Sequence, residues 1–434
     1  VAPRRLSISE ILDQGRTLAA NYGRLGWYLG DQLIVSGSNF LMGALVARFL
    51  GIDAFGVFAL AWMIVLFVQS LQSALVLSPM MSIGPKQSPE QTRSYYAVVA
   101  VHQIALAMAS AVTVYAICKI SGLVGWGEVS SELSLSLATT ILFVQIHEFL
   151  RRYNFTRGHV RRVIVSDVVR YGSLIAALVY MMQAPGEQPG IPGVLYLTAG
   201  SALLAALVLL PGAPSLQGAR ARLVEVTQRH FRVSRWLVGS AILLWVTSNF
   251  FIIAAGAILG PAAVGALRAA QTLMGVTNVF FQAAESFVPP QASRIFHADG
   301  LAGLRRFIFR LTLFGASVTG LACLVLVVPA RFWLTLVFGQ EYSEYGFVVA
   351  GYGAWFFLLA CLVPLRFAFQ AVEKTRPDFT GYIIGSIFTL AASYPLARYF
   401  GVLGAITGVV VAQLVMLINL QIEYRRLLSP GLRS

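Results

Sequence analysis

Twelve apolar runs of bilayer length recur along this chain, most of them separated by short polar breaks. A helix needs about 20 mostly apolar residues to cross a hydrocarbon core about 30 Å thick. Candidate crossings lie near 28–50, 54–79, 95–118, 133–150, 163–183, 194–211, 236–259, 264–288, 307–328, 346–371, 379–399 and 403–423. Breaks such as Gly51-Ile52-Asp53 and Gly260-Pro261 are tight reversals built on helix breakers. Only 12% of the 434 residues are charged, half the usual share of a soluble domain. The pattern predicts an all-α polytopic membrane protein and excludes a disordered chain or a secreted disulfide scaffold. The polar, basic start predicts that the first apolar span serves as the insertion signal.

Charge tests the layout. With the N-terminus in the cytoplasm and the loops alternating, 26 of the 32 Lys and Arg fall on the cytoplasmic side. Two, Lys119 and Arg331, fall outside, and Arg48, Arg268, Arg366 and Arg398 lie within spans. That asymmetry is the positive-inside signal, and it predicts twelve spans with both termini cytoplasmic. It also accounts for the net charge of +14 without nucleic acid. The basic loop from Arg151 to Arg162 reads as a topology anchor in contact with anionic lipid. Segment 220–235 is amphipathic, with Leu223, Val226 and Phe231 available to lie on the membrane, and it sits where a linker between halves belongs.

The two halves resemble each other. Ser38-Asn39-Phe40 is repeated as Ser248-Asn249-Phe250, Gly51 and Gly56 match Gly260 and Gly265, and Pro79 matches Pro289, all at an offset of 209 or 210. An even number of spans separates the copies, so the repeat is parallel, with a pseudo-twofold axis along the membrane normal. The expected architecture is two six-helix lobes, residues 1–215 and 216–434. Duplicated halves are a common plan for secondary transporters, whose substrate site lies between them.

Charged residues inside a membrane are expensive and usually face a watery cavity. Arg48 and Arg398 share a setting, Ala47-Arg48-Phe49-Leu50-Gly51 beside Ala397-Arg398-Tyr399-Phe400-Gly401, where an arginine either snorkels to the outer headgroups or lines a cavity. Arg268 lies about one turn inside the eighth span, again towards the outside, and Arg366 lies deeper, in the inner half of the tenth span after Pro364. Together the four would suit an anionic substrate, phosphate or pyrophosphate above all. Asp31 and Glu285 are the acids that could couple transport to protons; Asp31 could equally cap a helix, and Glu285 could equally pair with Arg366. Asp167 and Arg170, one turn apart, are placed to pair. The amides Asn39, Gln69, Gln72, Gln103, Asn249, Gln271, Asn278 and Gln282 are either interhelical glue or a cavity lining suited to sugar hydroxyls. Gln69 and Gln72 share one helical face, and Gln271, Asn278 and Gln282 share another.

Several signatures are absent from the sequence. There is no phosphate-binding G-x-x-x-x-G-K-[ST], no nucleophile constellation and no selectivity-filter motif. Cys118, Cys323 and Cys361 lie in apolar runs without metal-site spacing. No catalytic residue, metal or cofactor is expected.

Three stretches carry a likeness to a known family. They are SNFLMGALVARFLGIDAFGVFAL at 38–60, LRRFIFRLTLFGASVTGLACLVLVVPARFWLTLVFGQEYSEY at 304–345, and VPLRFAFQAVEKTRPD at 363–378. The chain resembles the polysaccharide and lipid-linked oligosaccharide flippases of the MOP transporter superfamily, the Wzx-type O-antigen and capsule exporters. The resemblance implies a polyprenyl-(pyro)phosphate-linked oligosaccharide as substrate, moved by alternating access across the bacterial inner membrane for polysaccharide export. It also implies membrane lipids, a polysaccharide polymerase and glycosyltransferases as partners. Arg48 matches the family's A-R-x-L-G opening motif, and Arg366 matches in general position. Two rival readings stand beside it. One is a small-molecule or drug-cation antiporter of the same superfamily, with Glu285 as its acid. The other is a membrane glycan polymerase or ligase, disfavoured by the shortness of the longest outer loop, 329–345.

Overall fold

The computed structural model describes residues 8–123, 130–183, 190–374 and 376–429, with side chains from residue 35 onward except 121–123, 283 and 286. Nearly all of them are helical, and no strand occurs among them. Twelve α-helices follow in order: α1 (Ile8–Gln72), α2 (Ser78–Ile83), α3 (Pro89–Leu123), α4 (Ser131–Thr156), α5 (Val160–Gln183), α6 (Ile191–Leu209), α7 (Ala219–Leu259), α8 (Pro261–Met274), α9 (Asn278–Val327), α10 (Ala330–Val337), α11 (Gly346–Ala371) and α12 (Arg376–Leu428).

Nine helical stretches among the described residues are long and apolar enough to cross a membrane. Three of them, 35–86, 261–327 and 376–428, exceed 50 residues. At 1.5 Å per residue each is more than twice the bilayer core in length. Each also contains one glycine with non-helical backbone: Gly51 at φ 77°, Gly300 at φ 63° and Gly401 at φ 61°. Every such stretch therefore makes two crossings, which brings nine to twelve. Gly51 and its repeat mate Gly260 hold nearly the same conformation, φ 77°, ψ 171° and φ 89°, ψ 177°. Only glycine enters that region without a Cβ clash, so these two positions fix where the first span of each half reverses.

The helices gather into two bundles. In the first, α4 runs along α6 and α3, and α5 packs on α6 and α1. In the second, α7 lies along α12, and α11 along both α9 and α12. The chain is thus an all-α, multi-pass membrane protein with two lobes. An apolar core runs through both, from Val46, Phe55 and Ile141 to Val264, Leu273 and Tyr352. Each lobe has its own smaller cluster, around Met80, Tyr95 and Val163 in one and around Leu304, Phe369 and Leu420 in the other.

The lobes meet across the repeat. A Cβ added to Gly56 would overlap the carbonyl of Pro261, and one added to Gly265 would overlap the carbonyl of Ile52. Both contacts join residues 209 apart in their partners, so each is the image of the other. A Cβ added to Gly43 would press on Thr272, and one added to Gly256 would overlap Val264 and meet Leu60 of α1.

The start of α7 behaves differently from the expectation for segment 220–235. Val226 is buried in the core of the first lobe rather than lying on the membrane. Leu223 and Phe231 are exposed, as expected. The segment is pinned by Tyr95 Oη and His230 Nε2 at 2.9 Å, by His102 Nε2 and Thr227 Oγ1 at 2.8 Å, and by Ser234 Oγ donating to the Leu75 carbonyl at 3.2 Å. One continuous helix therefore has its first half on the first lobe and its second half on α12.

Candidate functional site

Arg268 lies on the α8 face that carries Gly265 and Thr272, the residues touching α1. Residues three and four apart share a face, so its side chain leaves α8 at the seam between the lobes. Its Nη2 donates to Asn249 Oδ1 on α7 at 2.8 Å, and its Nη1 donates to Gln271 Oε1 at 2.5 Å. No carboxylate pairs with it among the described residues. A guanidinium offers five N–H donors, so two amides hold it in place and use only part of its donor capacity. Asn249 is itself fixed, its Nδ2 donating to the Trp245 carbonyl at 3.0 Å.

Two buried donors without partners stand nearby. Trp245 Nε1 lies one turn before Asn249 on α7, and the hydroxyl of Tyr352 on α11 is close enough for the Arg268 charge to act on it. The Trp245 ring also meets Phe67 of the first lobe, with centroids 4.8 Å apart. A half-buried cation and a buried phenol thus lie together where no acid pairs with them among the described residues, and the Trp245 indole N–H is a further unpartnered donor one turn along α7. Buried donors without acceptors are rare and costly, and this set is chemically matched to an anion. Trp245 and Tyr352 were missed by sequence reasoning. The signal that could have found Trp245 is its i−4 spacing to Asn249.

The remaining expected residues divide by position. Arg48 is exposed at the Gly51 end, where its Nη1 donates to the Leu336 carbonyl of α10 at 2.9 Å. Arg398 is exposed near the Gly401 break, and Asn39 and Asn278 are exposed. Arg366 sits 3.0 Å from Asp378 Oδ1, with its guanidinium 5.6 Å from the centre of the Tyr382 ring. The ion pair of Arg366 is with Asp378, which opens α12 directly after the turn from α11; exposed Glu285 lies near enough for its charge to act on Arg366 without forming a direct ion pair among the described residues. Gln69 is half-buried. Gln72 and Gln103 are buried, Gln72 Nε2 donating to Gln103 Oε1 at 3.0 Å and to the Gln145 carbonyl at 2.7 Å. That is interhelical bonding inside the first lobe. The 3₁₀ turn 275–277 falls between Gln271 and the other two, while Asn278 and Gln282 stay one turn apart on α9. Asp31 lies in α1, but its side chain falls outside the described residues.

The acid Asp167 reaches α4. Arg151 Nε donates to both of its carboxylate oxygens, at 3.1 and 2.9 Å, a contact across helices that the one-turn spacing to Arg170 did not anticipate. Arg170 Nη1 lies 3.1 Å from His147 Nδ1 instead.

Two of the stretches singled out in the sequence touch each other. The break at Gly51 leaves a C-terminal carbonyl and an N-terminal N–H without helical partners. Tyr342 Oη donates to the Ala47 carbonyl at 3.4 Å, and Glu341 Oε2 accepts from the Ile52 N–H at 3.1 Å. The Phe338-Gly339-Gln340-Glu341-Tyr342 turn thus clamps the Ala47–Gly51 motif from the other lobe.

No protein-family model matches the sequence, and no curated protein does. Solved structures match the fold. A multidrug resistance MATE family transporter of the MOP superfamily, in an inward-facing conformation, is 16% identical with a TM-score of 0.67, over 92% of this chain and 96% of that one. The lipid II flippase MurJ, in an inward closed conformation, is 10% identical with a TM-score of 0.67, over 91% and 86%. A MOP-superfamily transporter from Pyrococcus furiosus, whose reversed pocket polarity is said to suggest a different function, is 14% identical with a TM-score of 0.58, over 92% and 94%. At such identities the likeness lies in the architecture, and this chain has the fold of the MOP-superfamily transporters.

Proposed function

We propose that this protein is a flippase of the bacterial inner membrane, with both termini cytoplasmic and lobes dividing near residue 215. It moves a polyprenyl-(pyro)phosphate-linked oligosaccharide between leaflets by alternating access, in polysaccharide export alongside a polymerase and glycosyltransferases. The observation that carries this reading is Arg268, held by Asn249 and Gln271, beside the unpartnered donors of Trp245 and Tyr352 and without a carboxylate. A site of that chemistry favours phosphate over an organic cation. Arg48 is the second residue proposed for the head group, at the Gly51 end. Asp31 and Glu285 remain the acids proposed for proton coupling. A potential of 100 mV would add about 2.3 kcal/mol per charge moved.

The second reading, a drug-cation antiporter, is favoured by the likeness to a multidrug MATE transporter. It requires a carboxylate that meets the drug, and Glu285 is the candidate. The likeness is to transporters rather than enzymes, which leaves the polymerase reading without support.

The test is flipping of a fluorescent polyprenyl-pyrophosphate glycan in proteoliposomes, with wild type, Arg268→Ala and Arg366→Ala, each checked for folding. The proposal expects protein-dependent flipping that collapses in Arg268→Ala and survives in Arg366→Ala. Efflux of organic cations that needs Glu285, with no flipping of any lipid-linked glycan, would establish the antiporter reading instead.

A further inference from the structure

A groove of about 1180 Å³ runs between α9, α11 and α12 on the second lobe. It exceeds the usual volume of a drug-sized pocket, about 300–1,000 Å³. It is built wholly from second-lobe helices, so it is separate from the seam that holds Arg268. Its chemistry changes along its length. Arg305 and Arg306 stand at one end, just after the Gly300 break of α9, and Arg425 stands near the close of α12. The two helices run in opposite directions past α11, so the three guanidiniums lie at one level. Phe309 and Ile418 line the groove further in, four and seven residues away, roughly 6 and 10 Å along their helices.

The three arginines are exposed, and none has an ion pair among the described residues. Their neighbour Arg426 differs, being tied to Glu423 at 2.6 Å. No carboxylate lines the groove. Tyr424 lines it as well. That residue is only 7% exposed, and its hydroxyl is shut from solvent without a hydrogen-bond partner. A buried hydroxyl calls for an acceptor. Three cations and a spare donor above an apolar wall are complementary to an amphiphile with a phosphate head.

We infer that this groove binds an anionic phospholipid of the surrounding leaflet, its phosphate among Arg305, Arg306, Arg425 and Tyr424 and an acyl chain along Phe309 and Ile418. A phospholipid reaches the groove from the side of the lobe without leaving the bilayer, and it is present at high concentration there. The inference does not depend on what the seam between the lobes transports.

The experiment uses the purified, delipidated full chain and counts bound lipid by native mass spectrometry. Phosphatidylglycerol and phosphatidylcholine with the same acyl chains are titrated in parallel. The expected result is one phosphatidylglycerol per chain, held at least about ten-fold more tightly than phosphatidylcholine. The triple variant Arg305→Gln, Arg306→Gln, Arg425→Gln should bring the two lipids to equal affinity. Ile418→Trp, which fills the groove and leaves the arginines, should weaken both. A charge-matched control, Arg93→Gln, Arg294→Gln, Arg331→Gln, three exposed arginines outside the groove, should change neither. Equal affinity for the two lipids in wild type overturns the proposal, as does a control that loses as much as the triple variant. Displacement by an equal concentration of polyprenyl phosphate with about ten-fold preference would overturn it in another way, making the groove a carrier-lipid site. Thermal unfolding checks each variant. Should the triple variant fail to fold, Tyr424→Phe and Ile418→Trp decide the question: unchanged selectivity and affinity in both is a negative result.

Discussion

Glu341 accepts a hydrogen bond from the backbone N–H of Ile52 at 3.1 Å, so a carboxylate of the second lobe caps a helix of the first. The capped helix starts at the Gly51 break, and an anion at a helix N-terminus also meets the favourable end of the helix dipole. Arg48 and Tyr342 add bonds in both directions across the same boundary. This end of the molecule is therefore latched by groups that must separate if the lobes rock apart there.

Loss of the cap should loosen the latch. Removing such a cap costs about 1 kcal/mol, roughly a five-fold change in a two-state population. Glu341→Ala should therefore lower the closed population about five-fold, and Glu341→Gln should lower it less because an acceptor remains. The measurement is bifunctional cross-linking of Arg48→Cys with Leu336→Cys, in a background with Cys118, Cys323 and Cys361 replaced. Cross-linking that is unchanged by Glu341→Ala would show that the cap does not hold this end.

The reciprocal glycine contacts make a symmetry prediction. Gly56→Val and Gly265→Val each place a side chain against backbone of the opposite lobe, at Pro261 and Ile52. Backbone cannot rotate away as a side chain can, and overpacking of this kind costs about 1–3 kcal/mol. Both variants should open the Gly51 end to a similar degree in the same cross-linking assay. Opposite or very unequal effects would contradict a pseudo-twofold seam.

Much of this architecture could be read from residues alone. Gly51, Gly56, Gly260 and Gly265 stood out at a constant offset because close backbone approach tolerates little else. Span count was legible because apolar length is dictated by bilayer thickness. The site was legible only in part. Arg268 and Asn249 were visible as polar residues in apolar runs, yet their meeting depends on how α7 packs on α8. Trp245 and Tyr352 were invisible, since an aromatic in a membrane helix carries no sign that its polar atom lacks a partner. Gln72 and Gln103 show the opposite difficulty. Their composition suits a cavity, but the π-helical turn at 73–77 and the packing of α3 and α4 turn them inward. The Asp378 partner of Arg366 lay across a turn whose geometry no spacing rule supplied.

The two amides that hold Arg268 should matter through it. A hydrogen bond to a charged group contributes about 1.5–3 kcal/mol. Asn249→Ala and Gln271→Ala should each weaken the half-saturating concentration of the lipid-linked glycan about ten-fold in the flipping assay, with the maximal rate less affected. In an Arg268→Lys background, which lacks the two-pronged geometry, either alanine should have a smaller effect than in wild type. Full additivity would mean that the amides act independently of Arg268.

The buried ion pair between α4 and α5 gives a stability prediction. Arg151 and Asp167 are 8% and 1% exposed, and Arg151 Nε reaches both carboxylate oxygens. Removing one member of such a pair leaves a charge in the interior and costs about 3–5 kcal/mol. Glu148, 3.8 Å from Arg151, stays behind to offset part of that loss, so Asp167→Ala should fall near the lower end of the range. Arg152 pairs with Glu148 at 2.7 Å, but its side chain is 44% exposed, and such pairs contribute about 0–1 kcal/mol. Thermal unfolding in detergent, followed by intrinsic fluorescence, should therefore show a large drop for Asp167→Ala and a small one for Arg152→Ala. The double variant Arg151→Met, Asp167→Leu removes both charges together and should recover most of the loss, because the desolvation penalty disappears with the attraction. A double variant no more stable than Asp167→Ala would mean that the pair organises the α4–α5 interface through its neighbours Ser166 and His147, rather than through its own charge balance.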